Sequence, residues 1–360
     1  MALSWPRLWN NSESRKAPKV LFFCRGRGRG HAVPDMVIAD RLRERSPGID
    51  PRFVSYATGA ATLAEGGYTV IDLKLKEDTP YLEMIVEASR LIAQERPDLV
   101  VSHEEFAALP AAKAFGVPTL FIVDFFMAAD HVWMQSLQYA DEIVFIERRG
   151  IFPEPPHAQG RVTYAGPIVR PLSWSRADRG RARDDLRLPP AAKVMCVIPG
   201  AWATEERAPI LHLVMPAFAS LARIEKRLIW VAGRDYDFLS EKLRPAKDVI
   251  VVKEFSPIEK VMVACDLAIT KANRGTTIEL ANLGVPSIAL SHALNPIDEA
   301  VISRIRSSTA LNAKAVDGAF LSQVIEEILS AGTQEAERAV IGGGEHTAAE
   351  RIAKFVSALA

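Results

Sequence analysis

Short runs of consecutive apolar residues alternate along most of the chain with longer stretches in which apolar residues recur every three or four positions. A short run that is apolar throughout predicts a strand buried on both faces, whereas the longer spacing predicts an amphipathic helix. The predicted strands are Val20–Cys24, Phe53–Tyr56, Thr69–Leu73, Leu99–Ser102, Thr119–Val123, Glu142–Ile146, Val194–Ile198, Arg227–Ala232, Val249–Val252, Leu267–Thr270 and Ser287–Leu290. The predicted helices include Pro34–Arg45, Tyr81–Gln94, Ala107–Phe115, Pro257–Ala264 and Thr276–Leu283. This alternation indicates an α/β fold with parallel sheets covered by helices on both faces.

The alternation restarts after a connection, Gly166 to Pro190, that is rich in proline, arginine and aspartate. Because that composition is typical of a linker, we expect two Rossmann-like, doubly wound domains of similar size that face a central cleft. The predicted segments are a flexible tail at 1–18, an N-terminal domain at 19–170, a linker at 171–190, a C-terminal domain at 191–344 and a last helix at 345–360. That helix follows three consecutive glycines, and packing back onto the N-terminal domain is one arrangement open to it.

Composition narrows the classes of function. The 44 basic and 44 acidic residues give a formal net charge of zero, so no overall charge favours nucleic acid. Cys24, Cys196 and Cys265 lie in or beside apolar runs and match no metal-ligand spacing, which predicts buried thiols in a reducing compartment. No apolar run approaches the roughly 20 residues of a membrane-spanning helix, and the tail lacks the apolar segment of a signal peptide. We therefore expect a cytoplasmic protein, with weak peripheral association at the inner membrane face as the alternative.

The segment from Asp266 to Pro286 carries the most informative pattern in the chain. It predicts a strand, a polar turn and a helix, followed by a Gly-x-Pro break before the next strand. Gly275, Thr276 and Thr277 fall at the start of that helix, where unpaired backbone N–H groups and the helix dipole favour an anion. Glu279 stands one turn further along, where its carboxylate suits a hydroxyl donor such as a ribose. Phosphate and ribose together predict a nucleotide site.

A glycine-rich loop, Cys24-Arg25-Gly26-Arg27-Gly28-Arg29-Gly30-His31, follows the first predicted strand. Its G-x-G-x-G spacing differs from the dinucleotide fingerprint, no acidic residue ends the second strand, and the Gly-Lys-Ser/Thr of a P-loop is missing. Gly28 and Gly30 instead let the backbone approach a ligand closely. The three loop arginines either hold an anionic substrate or point into solvent. His31 suits a general base, with a structural histidine that caps the loop as the rival interpretation.

Together these loops resemble the GT-B nucleotide-sugar glycosyltransferases, most closely the peptidoglycan GlcNAc-transferase-like branch of the UDP-glycosyltransferases. Gly30-His31 with Pro34 matches the end of the family's first loop, and Tyr164 to Arg170 matches a strand followed by G-x-P-V-R. Asp266 to Pro286 matches the C-terminal signature, and Phe255 stands where the family holds the base. The resemblance spans residues 19 to about 310.

The resemblance implies a role for each matched residue. It implies that Glu279 binds the ribose, that Gly275 and Thr276 bind the diphosphate, and that His31 faces the sugar and the acceptor. In related transferases an acid after a neighbouring strand orients the catalytic histidine, and Glu104 is the first candidate here, with Asp124 second. The expected nucleotide-sugar-binding residues are Gly28, Gly30, Arg170, Gly200, Phe255, Ser256, Arg274, Gly275, Thr276, Thr277, Glu279, Asn295 and Glu299, and no metal ligand is expected.

Three departures from the family pattern leave the sugar and the acceptor open. Arg27 and Arg29 stand where the first loop of the family has small residues. Pro199 to Trp202 replaces a Gly-Gly-Ser loop, and Asn273-Arg274 replaces a small pair before Gly275.

The resemblance implies inverting transfer of a sugar from a nucleoside diphosphate sugar, with a UDP-sugar expected, to a hydroxyl-bearing acceptor that is a lipid, a saccharide or a small molecule. No metal-binding motif is assigned in the sequence, so neither a cofactor nor an obligatory divalent ion is expected. The alternatives are a nucleotide-sugar hydrolase, a UDP-sugar 2-epimerase of the same fold and a non-catalytic nucleotide-sugar-binding protein.

Overall fold

The computed structural model describes residues 18–49, 51–128, 130–198, 204–222, 224–291, 296–331 and 341–359. The chain divides into two compact units, Met1–Arg170 with Gly342–Ala360, and Pro171–Ile341. Among the described residues, no helix is long and apolar enough to cross a membrane.

The first unit contains a seven-stranded parallel sheet. Its strands are β1 (Val20–Cys24), β2 (Pro51–Ser55), β3 (Val70–Asp72), β4 (Leu99–His103), β5 (Thr119–Val123), β6 (Glu142–Phe145) and β7 (Val162–Tyr164), in the spatial order 3-2-1-4-5-6-7. Its helices are α1 (Ala32–Arg45), α2 (Ala57–Glu65), α3 (Tyr81–Glu95), α4 (Ala108–Ala114) and α5 (Val132–Ser136), with the last helix of the chain returning to this unit.

The second unit contains a six-stranded parallel sheet. Its strands are β8 (Lys193–Ile198), β9 (Lys226–Val231), β10 (Val249–Val252), β11 (Leu267–Lys271), β12 (Ser287–Ser291) and β13 (Ser308–Asn312), in the spatial order 10-9-8-11-12-13. Its helices are α6 (Arg179–Asp185), α7 (Thr204–Ser220), α8 (Tyr236–Leu243), α9 (Ile258–Ala264), α10 (Arg274–Asn282), α11 (Pro296–Ile302) and α12 (Gly318–Ser330).

In each sheet the first strand lies in the middle, the next two strands lie towards one edge, and the chain then crosses back to place the later strands towards the other edge. The predicted pair of doubly wound parallel sheets is therefore confirmed. The direction reverses between β1 and β4 in the first unit and between β8 and β11 in the second. In such sheets ligands bind beyond the carboxyl ends of the strands at this switch point. The predicted strands lack β7 and β13, two edge strands whose sequences, Val-Thr-Tyr and Ser-Thr-Ala-Leu-Asn, contain no unbroken apolar run. The family resemblance alone implied a strand at Tyr164, where β7 ends.

Most of the strands that the apolar runs form are buried on both faces of the sheets. Every residue of β1, β4, β5 and β12 is buried, as expected for strands covered on both faces. The covering helices bury one stripe each, such as Leu321, Ile325 and Leu329 of α12. Each fully buried side chain of this size contributes about 1.5–3 kcal/mol of transfer free energy.

The segment 171–190 differs from the linker that its composition predicted. It belongs to the second unit, where α6 presents Arg179 and Arg183 to Asp266 at 2.6 Å and 3.5 Å. Arg183 is buried, and its guanidinium also donates to the carbonyl of Pro189. Because a buried cation needs such partners, the arginines tie this segment to the sheet instead of leaving it in solvent.

The last helix, α13 (Gly344–Leu359), packs on the first unit. Ala348, Ile352 and Val356 of α13 are buried in the cluster that includes β1 and α1 residues such as Ile38. At its start, the Gly344 N–H donates to the Pro167 carbonyl at 3.1 Å, and any Cβ on Gly344 would collide with backbone atoms of the 166–167 turn. The boundary of the second unit therefore falls at Ile341 and not at residue 344.

Candidate functional site

The ends of β1 and β4 lie side by side at the switch point of the first sheet. Cys24 pairs in register with His103, and the Arg25 N–H donates to the His103 carbonyl at 3.2 Å. The glycine-rich loop after β1 and the polar residues after β4 therefore leave the sheet at the same level, which is the position expected for a functional site in this fold.

His31 and Glu104 contact each other at this edge. The Nε2 atom of His31, the residue that precedes α1, lies 2.9 Å from Oε2 of Glu104. Glu104 is 2 % exposed and has a φ of +53°, a left-handed conformation that costs a non-glycine residue about 1 kcal/mol or more. The Asp124 N–H donates to the other carboxylate oxygen of Glu104 at 3.3 Å. The structure thus brings together the three residues predicted as catalytic, with Glu104 against His31 and Asp124 behind it.

Opposing effects act on the pKa of Glu104. Burial favours the neutral acid, but the hydrogen bond and the charge of His31 outweigh burial and hold the pKa well below its usual range. Glu104 is therefore a carboxylate at neutral pH, the form that can hold the His31 ring and stabilise its imidazolium.

Behind this pair stands a second histidine and carboxylate that the sequence analysis did not assign. His103 Nδ1 lies 2.6 Å from Oδ1 of Asp35, and both side chains are almost fully buried. The rings of His103 and His31 meet edge-on, with centroids 4.9 Å apart. Burial lowers the pKa of His103, but Asp35 more than compensates and raises it above the ordinary value. The feature of the sequence that could have indicated this pair is Asp35, an acidic residue four positions after His31 on the buried face of α1.

The loop arginines separate into distinct environments. Arg25 is largely buried, with one guanidinium nitrogen 3.7 Å from Glu104 and its Cζ 4.4 Å from the centre of the Trp133 ring. Arg29 pairs with exposed Glu65 at 2.8 Å. Arg27 is exposed, and within the described ranges no ion pair or hydrogen bond engages its side chain. Of the three arginines, Arg25 supports the catalytic pair, and Arg27 is the one that remains open to an anionic ligand.

The loop glycines also differ in why they are needed. Gly28 has a φ of +67°, which favours glycine, whereas a Cβ on Gly30 would meet nothing within 4 Å among the described atoms. Gly26 was not singled out from the sequence, yet a Cβ there would lie 2.5 Å from the Tyr56 carbonyl oxygen. Gly26 is therefore required by packing, and Gly28 by backbone conformation.

A metal ion is chemically compatible with one group of residues in the described part of the chain. His31, His103 and Glu104 each offer a ligand atom, and these atoms lie within 4.8 Å of one another. Two imidazoles and a carboxylate suit a transition metal.

In the second unit, α10 begins beside the switch point, directly after β11. The side chain of Asn273 caps the helix by accepting a hydrogen bond from the Thr276 N–H at 3.0 Å. The hydroxyl of Thr277 donates to the Asn273 carbonyl at 2.6 Å, and Thr277 is fully buried. The side chain of Thr277 therefore serves the helix, and the ligand-binding role predicted for this residue rests on its backbone N–H, while Thr276 is only partly buried.

Gly275 lies exposed at the start of α10, and among the described atoms a Cβ there would meet only the Asn273 side chain, 4.0 Å away. Neither packing nor a positive φ explains this glycine, so the open backbone is available to a ligand. Arg274 pairs with Asp298 of α11 at 3.3 Å, and burial raises the pKa of Asp298 while Arg274 opposes the rise. Asp298 was not predicted. Glu279 lies half-buried one turn along α10.

The remaining predicted ligand residues are scattered. Phe255 packs on a core cluster of the second unit and Ser256 is exposed beside it, just before α9. Glu299 is exposed on α11, and Arg170 is half-buried at the end of the first unit. Gly200 and Asn295 lie outside the described residues.

Comparison with known proteins assigns the fold to a class. No protein-family model matches the chain. The MurG protein of Acinetobacter baumannii superposes with a TM-score of 0.66 at 17% identity, covering 94% of this chain and 100% of that one. A putative UDP-N-acetylglucosamine 2-epimerase from Listeria monocytogenes gives a TM-score of 0.67 at 13% identity, covering 93% of this chain and 94% of that one. The chain has the GT-B fold.

Sequence similarity points to a narrower group. A UDP-N-acetylglucosamine–N-acetylmuramyl-(pentapeptide) pyrophosphoryl-undecaprenol N-acetylglucosamine transferase of Fusobacterium nucleatum is 24% identical over 294 residues, which cover 77% of this chain and 79% of the relative. The transferase of the same name from Chlorobium luteolum is 25% identical over 333 residues, covering 86% and 85%. The chain is a distant relative of GT-B glycosyltransferases, as its motifs predicted.

Proposed function

We propose that this protein is an inverting glycosyltransferase that moves a sugar from a UDP-sugar to a hydroxyl group of an acceptor. The observation that carries the proposal is the contact between His31 and Glu104 at the switch point of the first sheet. A histidine held by a buried carboxylate is the arrangement that makes an imidazole an effective general base.

In the proposed reaction His31 takes the proton of the acceptor hydroxyl while the acceptor oxygen attacks the anomeric carbon. The bond from that carbon to the diphosphate breaks as the new bond forms, and UDP leaves. Glu104 holds Nε2, so Nδ1 is the nitrogen that accepts the proton. Because Nδ1 is buried, acceptor binding has to turn the ring or shift the adjoining glycine loop. Glu104 then stabilises the imidazolium.

The donor is proposed to bind the second unit through α10. The open backbone at Gly275, the positive end of the helix dipole and the Arg274 guanidinium together suit the diphosphate of the leaving group. In the same proposal Thr276 adds a hydroxyl, Glu279 binds the ribose and Phe255 borders the base. That the transfer needs no metal ion stays a prediction. In this proposal the start of α10 and the Arg274 guanidinium stabilise the diphosphate charge in place of a divalent ion.

The acceptor is proposed to be a lipid-linked saccharide first of all, because the curated relatives are named for a pyrophosphoryl-undecaprenol acceptor. An exposed apolar face of α3 in the first unit suits contact with the membrane that would hold such an acceptor. Leu82 and Val86, one turn apart on α3, are 74% and 62% exposed. Peripheral contact with a membrane surface through these side chains would bring the protein to an acceptor held in the lipid.

The test is a product assay with and without acceptor. The protein is incubated with UDP-N-acetylglucosamine and other UDP-sugars, without added metal or cofactor, and the products are analysed by mass spectrometry and NMR. A glycosylated acceptor of inverted configuration supports the proposal. Free sugar formed at an equal rate without acceptor indicates a hydrolase, and a C2-epimerised UDP-sugar indicates an epimerase. Tight UDP binding without turnover on any acceptor indicates a sensor.

A further inference from the structure

We propose that His103, His31 and Glu104 form a binding site for a transition-metal ion, Zn²⁺ in particular, in the first unit. The ion would not be a cofactor of the transfer reaction. It would occupy His31 and Glu104 and so break the contact that supports the general base, and in that one respect the consequence depends on the proposed function.

The strongest evidence is the way in which His103 is held. Its Nδ1 faces Asp35 at 2.6 Å, while its Nε2 is buried and has no hydrogen-bond partner among the described residues. Histidines that bind metals almost always donate a hydrogen bond from the other ring nitrogen to a carboxylate or a carbonyl, which fixes the tautomer and orients the free lone pair. Asp35 does this for His103.

His31 and Glu104 supply the rest of the ligand set. Glu104 is a buried carboxylate, and its Oε2 lies 2.9 Å from Nε2 of His31, so these two possible ligand atoms already face each other. The buried Nε2 of His103 is costly to leave without a partner, and the His103 ring centroid lies 4.9 Å from that of His31, so one ion between the rings would satisfy it.

Distance and charge decide which ion fits. The three ligand atoms span at most 4.8 Å, and ligands of one tetrahedral zinc ion lie roughly 3.3–3.5 Å apart. A shift of the His31 ring, the least buried side chain of the three, by roughly 1–1.5 Å would bring the ligand atoms to that spacing. Asp35 and Glu104 supply two negative charges, and Arg25, 3.7 Å from Glu104, opposes a cation. Imidazole ligands favour Zn²⁺, Co²⁺ or Cu²⁺ over Mg²⁺.

The experiment measures metal binding without any substrate, so its result does not depend on whether the protein transfers sugars. Chelator-treated full-length protein is titrated with Co²⁺ alone, followed by visible absorption, and with Zn²⁺ alone by calorimetry. We expect one site per chain and a tetrahedral Co²⁺ spectrum. Asp35→Asn should weaken Zn²⁺ binding by about 10–100-fold, and His103→Gln should weaken it further. His346→Gln, which changes an exposed histidine on α13, should leave it unchanged.

Affinity equal in the wild type and in His103→Gln overturns the proposal, as does the lack of a saturable Co²⁺ site. Circular dichroism checks that each variant folds, and if His103→Gln does not, X-ray absorption at the zinc edge of the wild type counts the imidazole ligands. Two imidazoles support the site, and any other count removes it. In a separate arm, Zn²⁺ should inhibit transfer reversibly, with recovery on adding EDTA, whereas Mg²⁺ should not.

Discussion

The Nε2 atom of His31 lies 2.9 Å from Oε2 of Glu104, although 73 residues separate the two in the chain. Two strands that are neighbours in space but not in sequence produce this contact, because β1 leads to His31 and β4 leads to Glu104. Glu104 is buried and ionised, whereas its neighbour Glu105 is buried and points to another partner. The adjacent carboxylates therefore provide matched variants for testing the site.

Replacing His31 with Ala should lower the rate of sugar transfer by about 10²–10⁴-fold, because a general base contributes about that much. The affinity for UDP should not change, since the proposed UDP residues lie in the second unit. Steady-state kinetics and calorimetry with UDP measure the two quantities. His346→Ala is the control, because His346 is exposed on α13. Full transfer activity in His31→Ala would remove the histidine from the mechanism.

Glu104→Gln should lower kcat by about 10–100-fold, since a hydrogen bond to a charged group is worth about 1.5–3 kcal/mol and would be weakened in the transition state. KM for the UDP-sugar should stay the same. Glu105→Gln is the matched control, because the Glu105 carboxylate accepts from the Tyr56 hydroxyl at 3.0 Å and not from His31. If the two variants behave alike, Glu104 has no special link to His31.

Glu105 should make the free energy of unfolding depend on pH. Burial, the largest effect, raises the pKa of Glu105 from 4.5 to about 7, with Tyr56 and Arg25 opposing. Between those values the unfolded chain releases the proton and the folded chain keeps it, so the free energy of unfolding falls as pH rises. The fall is on the order of 3 kcal/mol, from about 1.4 kcal/mol per pKa unit. Chemical denaturation at pH values from about 4.5 to 8 measures it, and Glu105→Gln should flatten the slope that the wild type shows.

Thr276 and Thr277 offer a paired test of the nucleotide-binding helix. Thr277→Val removes a buried hydroxyl that donates to the Asn273 carbonyl, so it should destabilise the second unit by about 1 kcal/mol without changing UDP affinity. Thr276→Val should do the reverse, because its hydroxyl is proposed to bind the diphosphate. Thermal unfolding and UDP calorimetry compare the two. Unchanged UDP affinity in Thr276→Val would remove that hydroxyl from the site.

Glu279→Ala should weaken UDP binding by roughly 10-fold or more, because a carboxylate that accepts hydrogen bonds from ribose hydroxyls is worth about 1.5–3 kcal/mol. The loss of affinity from wild type to variant should be smaller for deoxyuridine diphosphate than for UDP. Glu326→Ala, at an exposed position of α12, controls for the loss of one negative charge. Equal UDP affinities in all three proteins would mean that the ribose binds elsewhere.

Most of the fold could be predicted from local patterns. The buried strands of both sheets are runs of apolar residues bounded by polar turns, and a doubly wound α/β fold follows from their alternation with helices. The prediction missed β13 because its sequence, Ser-Thr-Ala-Leu-Asn, has no unbroken apolar run. Residues 171–190 were predicted to be a linker because an arginine-rich composition is typical of solvent-exposed segments. The partner that holds two of these arginines against the sheet, Asp266, lies far along the chain.

The sequence by itself determined the two doubly wound domains, the loop that carries His31 and the helix start at Gly275, since each depends on residues close together in the chain. Only the tertiary structure decided which carboxylate serves which histidine. Glu104 reaches His31 and Asp35 reaches His103 because β1 and β4 are adjacent and end in register, and pairing between strands distant in sequence is not written in any local pattern. It is this register that places two histidines and two buried carboxylates within one small volume.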